Sequence, residues 1–285
     1  MSDTTVAAPP PWEAGRRPRP TWGLSEGDEI APGRCVLRRI GGGRRYEAML
    51  VWDQHRLAVL VAKVLRPDQA RDAAALQDLA HEAALLERLA HPVVVRSFGA
   101  VTEGRFPHLV LEHLDGPTLD ELLASEGTLA LEQLLPLALH VASALHYLAG
   151  EGVVHLDVKP SNVVMGAPPR LIDLSIARTV EDAARLRGRI GTQTYMAPEQ
   201  RDPDGRIGPP ADVFGLAGTL CTALTGAKPP DLGRLPRRTP QELRTVLHAG
   251  LDPDPASRPA AAELANALEP LVAALPRRMT LGRRS

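Results

Sequence analysis

Only three of the 33 basic residues in this 285-residue chain are lysines; the rest are arginine. So strong a bias turns ordinary basic surface positions into Arg. It marks Lys63, Lys159 and Lys228 as candidates for places where a compact ammonium ion is needed and a planar guanidinium does not fit. Two of the three keep chemical company. Lys159 lies in His155-Leu156-Asp157-Val158-Lys159-Pro160-Ser161-Asn162, which crowds a carboxylate, an ammonium and an amide together. Asp173 follows eleven residues after Asn162. Asn162 and Asp173 offer only oxygen ligands, a set that suits Mg2+ or Mn2+. Lys63 closes the β-like run ending Val61-Ala62-Lys63. Phosphoryl transfer needs groups of these kinds: positive charge on phosphates, held metal ions, and a carboxylate that orients the attacking hydroxyl.

The order of these segments resembles the eukaryotic-type Ser/Thr protein kinase family, in a bacterial, actinobacterial-like form. His155 to Asn162 is similar to the catalytic loop H-R-D-x-x-x-x-N, and Leu171-Ile172-Asp173-Leu174-Ser175 to the strand and D-F-G motif. The resemblance implies that Asp157 orients the substrate hydroxyl, Lys159 reaches the γ-phosphate, and Asn162 and Asp173 hold the metal. It implies an ion pair between Lys63 and Glu82, the glutamate of His81-Glu82-Ala83-Ala84-Leu85-Leu86. Ile40-Gly41-Gly42-Gly43-Arg44-Arg45-Tyr46-Glu47-Ala48 stands where the glycine-rich loop belongs. Gly41 and Gly43 match its first two glycines, Tyr46 takes the place of the third, and Ala48 that of the residue roofing the adenine. His108-Leu109-Val110-Leu111-Glu112-His113-Leu114 resembles the hinge, with Leu111 as gatekeeper and the Glu112 and Leu114 backbones facing adenine. Val61 and Val164 complete the nucleotide positions. Gly191-Thr192-Gln193-Thr194-Tyr195-Met196-Ala197-Pro198-Glu199 resembles the end of the activation segment. There Thr192 bonds the catalytic pair and Glu199 pairs with Arg258. Asp212 matches the buried aspartate that anchors the catalytic loop.

These residues need elements to hold them. β-like runs at Arg34–Ile40, Tyr46–Trp52, Arg56–Leu65, Val94–Val101 and His108–Glu112 surround one helix-period segment from about Gln69 to Leu89. Beyond Asp115-Gly116-Pro117 the pattern is helical: Leu131–Leu148, Asp212–Leu224, a helix opening at Thr239-Pro240, and a last one over 260–275. The expected fold is α+β and bilobal: a β-rich N-lobe over 29–113 with the helix the family calls αC, and a helical C-lobe over 114–277. A Pro/Arg-rich disordered arm is expected over 1–28 and a basic tail over 278–285. Between Thr225-Gly226 and Thr239, three prolines in so short a stretch leave no room for the family's αG helix.

Composition narrows the partners. Hydrophobic residues make up 44% and aromatics only 3%, so Ala, Leu and Val must fill the core. A net charge of -1 argues against nucleic acid or anionic membrane as the main partner. Cys35 and Cys221 read as reduced thiols, no apolar run reaches the ~20 residues of a membrane span, and a cytoplasmic site is expected. The resemblance implies ATP with Mg2+ or Mn2+ as cofactors and a protein carrying Ser or Thr hydroxyls as substrate. Leu156 replaces the arginine that in relatives binds an activation-segment phosphate. Between Ile176 and Ile190 the sole hydroxyl residue is Thr179, so that segment is expected to be a short helix held by packing. Autophosphorylation is then expected on the arm, at Ser2, Thr4, Thr5, Thr21 or Ser25. The alternative is a scaffold of the same fold that binds nucleotide and partners without turnover, favoured by Tyr46, the D-L-S motif and Leu156.

Overall fold

A computed structural model describes residues 19–229 and 234–276. Six antiparallel strands build the N-lobe: β1 (Glu29–Ala31), β2 (Arg34–Gly42), β3 (Tyr46–Asp53), β4 (Ala58–Leu65), β5 (Ser97–Val101) and β6 (His108–Glu112). Their order across the sheet is β1-β2-β3-β4-β6-β5. β3 and β4 pair without a break, which sets Ala48 opposite Lys63, and β4 and β6 set Leu111 opposite Val61. Side chains alternate along a strand. Tyr46, Ala48, Val61, Lys63 and Leu111 therefore share the inner face of the sheet. The outer face buries a cluster of its own, with Val36, Met49, Val51, Leu60 and Val64 at its centre.

Helix α1 (Ala73–Arg88) is the one helix of this lobe among the described residues. It begins four residues later than the apolar period suggests, because the Asp72 side chain accepts from the Ala75 N–H at 2.8 Å and caps the helix there. Its buried stripe is Ala75, Leu79, Glu82, Leu85 and Leu86, so one carboxylate is carried into the interior on an apolar face.

The C-lobe follows with α2 (Leu119–Glu126), α3 (Leu131–Gly150), β7 (Val153–Val154), β8 (Val163–Val164), β9 (Arg170–Leu171), β10 (Arg178–Thr179), α4 (Val180–Arg185), α5 (Pro210–Thr225), α6 (Gln241–Gly250) and α7 (Ala261–Ala273). β8 pairs with β9 and β10 with β7. Thirteen of the sixteen residues of α5 are buried, which is why its sequence is apolar on every side. The bilobal α+β architecture is thus the expected one.

Several local expectations change. Thr21 to Leu24 do not belong to a free arm: Trp22 and Leu24 pack on the outer cluster of the sheet and Trp22 stands edge to face on Phe106. A tryptophan and a leucine give this stretch enough apolar surface to bind the lobe, which the Pro/Arg composition around it conceals. Residues 1–18 and the tail from 277 lie outside the described residues. The run from Val94 supplies a strand only from Ser97. Val94 makes an isolated bridge with Leu171, whose N–H donates to the Val93 carbonyl and whose carbonyl accepts from the Val95 N–H. Pro240 caps α6 instead of opening it. Residues 227–229 and 234–238 contain no helix, and 230–233 lie outside the described residues.

Candidate active site

Lys63 is held by charge from two directions. Its Nζ donates to both Glu82 carboxylate oxygens at 2.9 Å and to Asp173 Oδ1 at 2.6 Å. Strand β4 presents the lysine, α1 the glutamate, and the turn after β9 the aspartate, so the three meet only when both lobes are in place. Burial by itself would drive the Lys63 ammonium towards neutrality. The Asp173 and Glu82 carboxylates outweigh it and hold the lysine above its ordinary pKa range. Burial would likewise raise Asp173, yet Lys63, with the Ser175 hydroxyl and Lys159, keeps it well below the usual carboxylate range. Glu82 is pushed up by burial, which Lys63 only partly offsets. The Leu174 backbone N–H supports the same carboxylate. Leu174 itself is fully buried.

Tyr46 stands over this group. Its ring centroid is 4.5 Å from Lys63 Nζ, a cation–π distance. Burial pushes its phenol up to about 12 against the opposing pull of Lys63, and its hydroxyl has no partner among the described residues. A Cβ added at Gly41 or Gly43 would meet nothing within 4 Å. The protein's own packing does not demand glycine there, which leaves open space above the loop backbone. Gly42 is the one that packing requires, since a Cβ would lie 2.8 Å from the Tyr46 carbonyl oxygen.

The second group gathers around Asp157. Lys159 Nζ donates to Asp157 Oδ2 and to Thr192 Oγ1, each at 2.6 Å, and the Thr192 N–H donates to Asp157 Oδ1 at 2.9 Å. Asn162 Nδ2 donates to the Asp157 carbonyl and to its Oδ2. Both partners are acceptors, so the amide orientation is fixed and its Oδ1 is left available to a hard cation. Asp173 has Oδ2 to add to it. This donor set fits a divalent metal. The backbone beneath is tied down by Asp212, whose two oxygens accept from the His155 and Leu156 N–H groups at 2.7 Å. Leu156 and Asp173 both adopt left-handed backbone, at φ 69° and 66°, a conformation costing an ordinary residue roughly 1–3 kcal/mol. Glu199 and Arg258 form a two-pronged, buried ion pair at 2.7 and 2.8 Å.

At the hinge, the Glu112 N–H donates to the Arg96 carbonyl at 3.0 Å. Its side chain accepts from the Arg96 N–H at 2.6 Å and from Arg170. Leu111 and Val164 are buried, while Val61 and Leu114 are half-buried against the same core. The activation segment turns from Thr179, which caps α4 by accepting from the Asp182 N–H at 3.1 Å. Ala183 of α4 packs in an apolar cluster with Val154, Leu156, Ala197, Ile207 and Ala211. Gln200, which sequence reasoning passed over, pins the segment by donating to the Leu156 and Ile190 carbonyls. A glutamine beside Glu199 carries no signal of that role. Asp78 was also missed, although it lies four residues before Glu82 on one helix face. It accepts from Arg45 of the glycine-rich turn and from Arg178 of the activation segment, the latter at 3.4 Å.

Residues 35–268 match the model of the protein kinase domain. The chain belongs to the protein kinase family. Among curated kinases it is 31% identical to the probable serine/threonine-protein kinase PkwA of Thermomonospora curvata, over 85% of this chain and 34% of that protein. It is 34% identical to the serine/threonine-protein kinase PkaA of Streptomyces coelicolor, over 72% of this chain and 42% of that one. Identity to PknB of Mycobacterium leprae is 30%, over 69% of this chain and 33% of PknB. The chain therefore spans about a third of the length of curated kinases it matches. ATP and a divalent metal are the family's general requirements. Among the described residues no helix is long and apolar enough to cross a membrane.

Proposed function

We propose that the chain is an active Ser/Thr protein kinase, transferring the γ-phosphoryl group of ATP, with Mg2+ or Mn2+, to Ser or Thr hydroxyls of proteins. The observation that carries this reading is that both charge groups are assembled at once: Lys63 bridges Glu82 and Asp173 while Asp157 is held by Lys159, Asn162 and Thr192. A scaffold that only binds nucleotide has no need of an oriented carboxylate beside an ammonium. In this reading Lys63 binds the phosphates and Glu82 keeps it in place. Asp157 orients the attacking hydroxyl and accepts its proton, Lys159 neutralises charge on the moving phosphoryl, and Thr192 locks the two together. Asn162 Oδ1 and Asp173 hold the metal. The metal, when bound, neutralises charge on the phosphate oxygens. Ala48, Val61, Leu111 and Val164 enclose the base, with the Glu112 carbonyl and the Leu114 backbone at its edge. Such a kinase works where ATP is, on the cytoplasmic side.

Control follows from Leu156. The position that a phosphate-binding arginine fills in relatives is here apolar and buried against α4, so the segment is ordered by packing and the enzyme is competent without phosphate on it. Transfer of radiolabelled phosphate to a generic basic protein, blanked by Asp157→Asn and by EDTA, tests the activity. Turnover that survives either blank would overturn the mechanism.

A further inference from the structure

A short stretch ahead of the sheet reaches the glycine-rich loop. Thr21 Oγ1 donates to Glu47 Oε1 at 2.6 Å and the Trp22 N–H to Glu47 Oε2 at 3.0 Å. The Trp22 indole N–H donates to the Leu65 carbonyl at 2.7 Å. Arg66 works in two directions: its Nε donates to the Gly43 carbonyl and its Nη1 to the Pro20 carbonyl, each at 2.9 Å. One guanidinium therefore joins the phosphate-facing turn to residues 20–22. Glu47 is fully buried, pairs across the turn with Gly42, and has Arg39 and Arg66 only at 3.8 Å. Its hydrogen bonds among the described residues come from Thr21 and Trp22. Without them a buried carboxylate at the root of the loop would lack donors, a costly state that the strand can relieve only by shifting.

We propose that Pro20–Leu24 is a strap that positions the glycine-rich loop, acting through Glu47 and Arg66 to set nucleotide affinity. Gly41 and Gly43 have open space around them and no packing of their own, so the order of that turn must come from its base. A loop already fixed in its binding shape loses less freedom when phosphates arrive, and affinity gains accordingly. Thr21, Trp22, Glu47 and Arg66 are positioning residues and touch no reacting atom. The consequence for turnover rests on the kinase reading above; the consequence for loop order does not.

Thr21→Val removes the hydroxyl donor at nearly constant volume, and Trp22→Phe removes the indole donor while keeping a ring. Both are made in the full chain and compared with wild type by ADP titration calorimetry, steady-state kinetics and amide exchange. The expected result is a rise of roughly threefold to tenfold in the Kd for Mg·ADP and the KM for ATP, the scale of one ordinary hydrogen bond. The kcat and the KM for protein substrate should stay put. Amides of residues 41–47 should exchange faster while those of α5 do not. Unchanged exchange over 41–47 in both variants, or a fall in kcat with nucleotide affinity intact, overturns the strap. If wild type transfers no phosphoryl group, the kinase reading falls, and the exchange over 41–47 still decides the strap.

Discussion

Lys63 and Leu156 show two ways of holding a candidate active site together in one molecule. Around Lys63 the parts are held by charge: an ammonium shared between two carboxylates from different elements, with an aromatic face above it. Around Leu156 they are held mainly by volume: α4 and the flanking segment rest on an apolar cluster, with Gln200 bonding the Leu156 and Ile190 carbonyls at its edge. Charge gives direction, and each partner is indispensable because its removal leaves an opposite charge buried. Packing gives order without direction and is insensitive to pH and to phosphate. The lobe that must grip a polyanion uses the first device, and the segment that only has to stay in place uses the second.

The largest effect should come from cutting the charge side. Lys63→Ala and Asp157→Asn should each lower kcat/KM by on the order of a thousandfold, with the fold intact by circular dichroism. An active variant would break the comparison at its root. Next in size is Arg258→Ala, which strands the buried Glu199 carboxylate; denaturant unfolding should read a loss of about 3–5 kcal/mol. The packing side is tested by Leu156→Ala, expected to cost about 2–5 kcal/mol and to lower the initial rate by loosening α4. Phosphatase-treated wild type, shown by intact mass to carry no phosphate, should start without a lag. A lag tracking phosphate on Thr179 would show that packing alone does not hold the segment.

Acid separates the two regions further. His108 is fully buried, with Nδ1–H donating to the Phe106 carbonyl and Nε2 accepting from Arg34, so the folded state keeps it neutral. Burial pushes it down to about 4, with Arg34 adding to the shift. The unfolded imidazole takes a proton near pH 6.5, and the folded one refuses it until about 4. Stability is thus complete above pH 6.5 and declines by roughly 3 kcal/mol on the way to 4. His108→Gln should flatten that slope, measured as urea midpoints against pH. The smallest expected effect is Thr179→Ala, which removes the α4 cap at a cost of about 1 kcal/mol and should raise amide exchange over 180–185 alone.

Much of the site was legible because its chemistry is local in sequence. Asp157, Lys159 and Asn162 lie within one loop, so their spacing fixes their meeting. Lys63 announced itself as a rare lysine at the end of a strand. The strap was not legible: nothing in Pro20-Thr21-Trp22 says that its donors will meet Glu47, and the surrounding prolines and arginines argue for disorder. Asp78 and Gln200 were hidden for the same reason, since their partners come from other elements.

The sequence by itself determined the bilobal α+β class, the protein kinase family and the apolar character of the segment after Asp173. Period and composition are properties of the chain, and they decide which faces are buried. Only the tertiary structure decided which carboxylate holds which cation, that Leu156 rests on Ala183, and that Glu47 is served from Thr21 and Trp22. Those outcomes depend on the register between strands and on the packing of α1 against the sheet. A hydrogen bond spans about 3 Å, whereas the residues it joins here lie 19 to 110 positions apart.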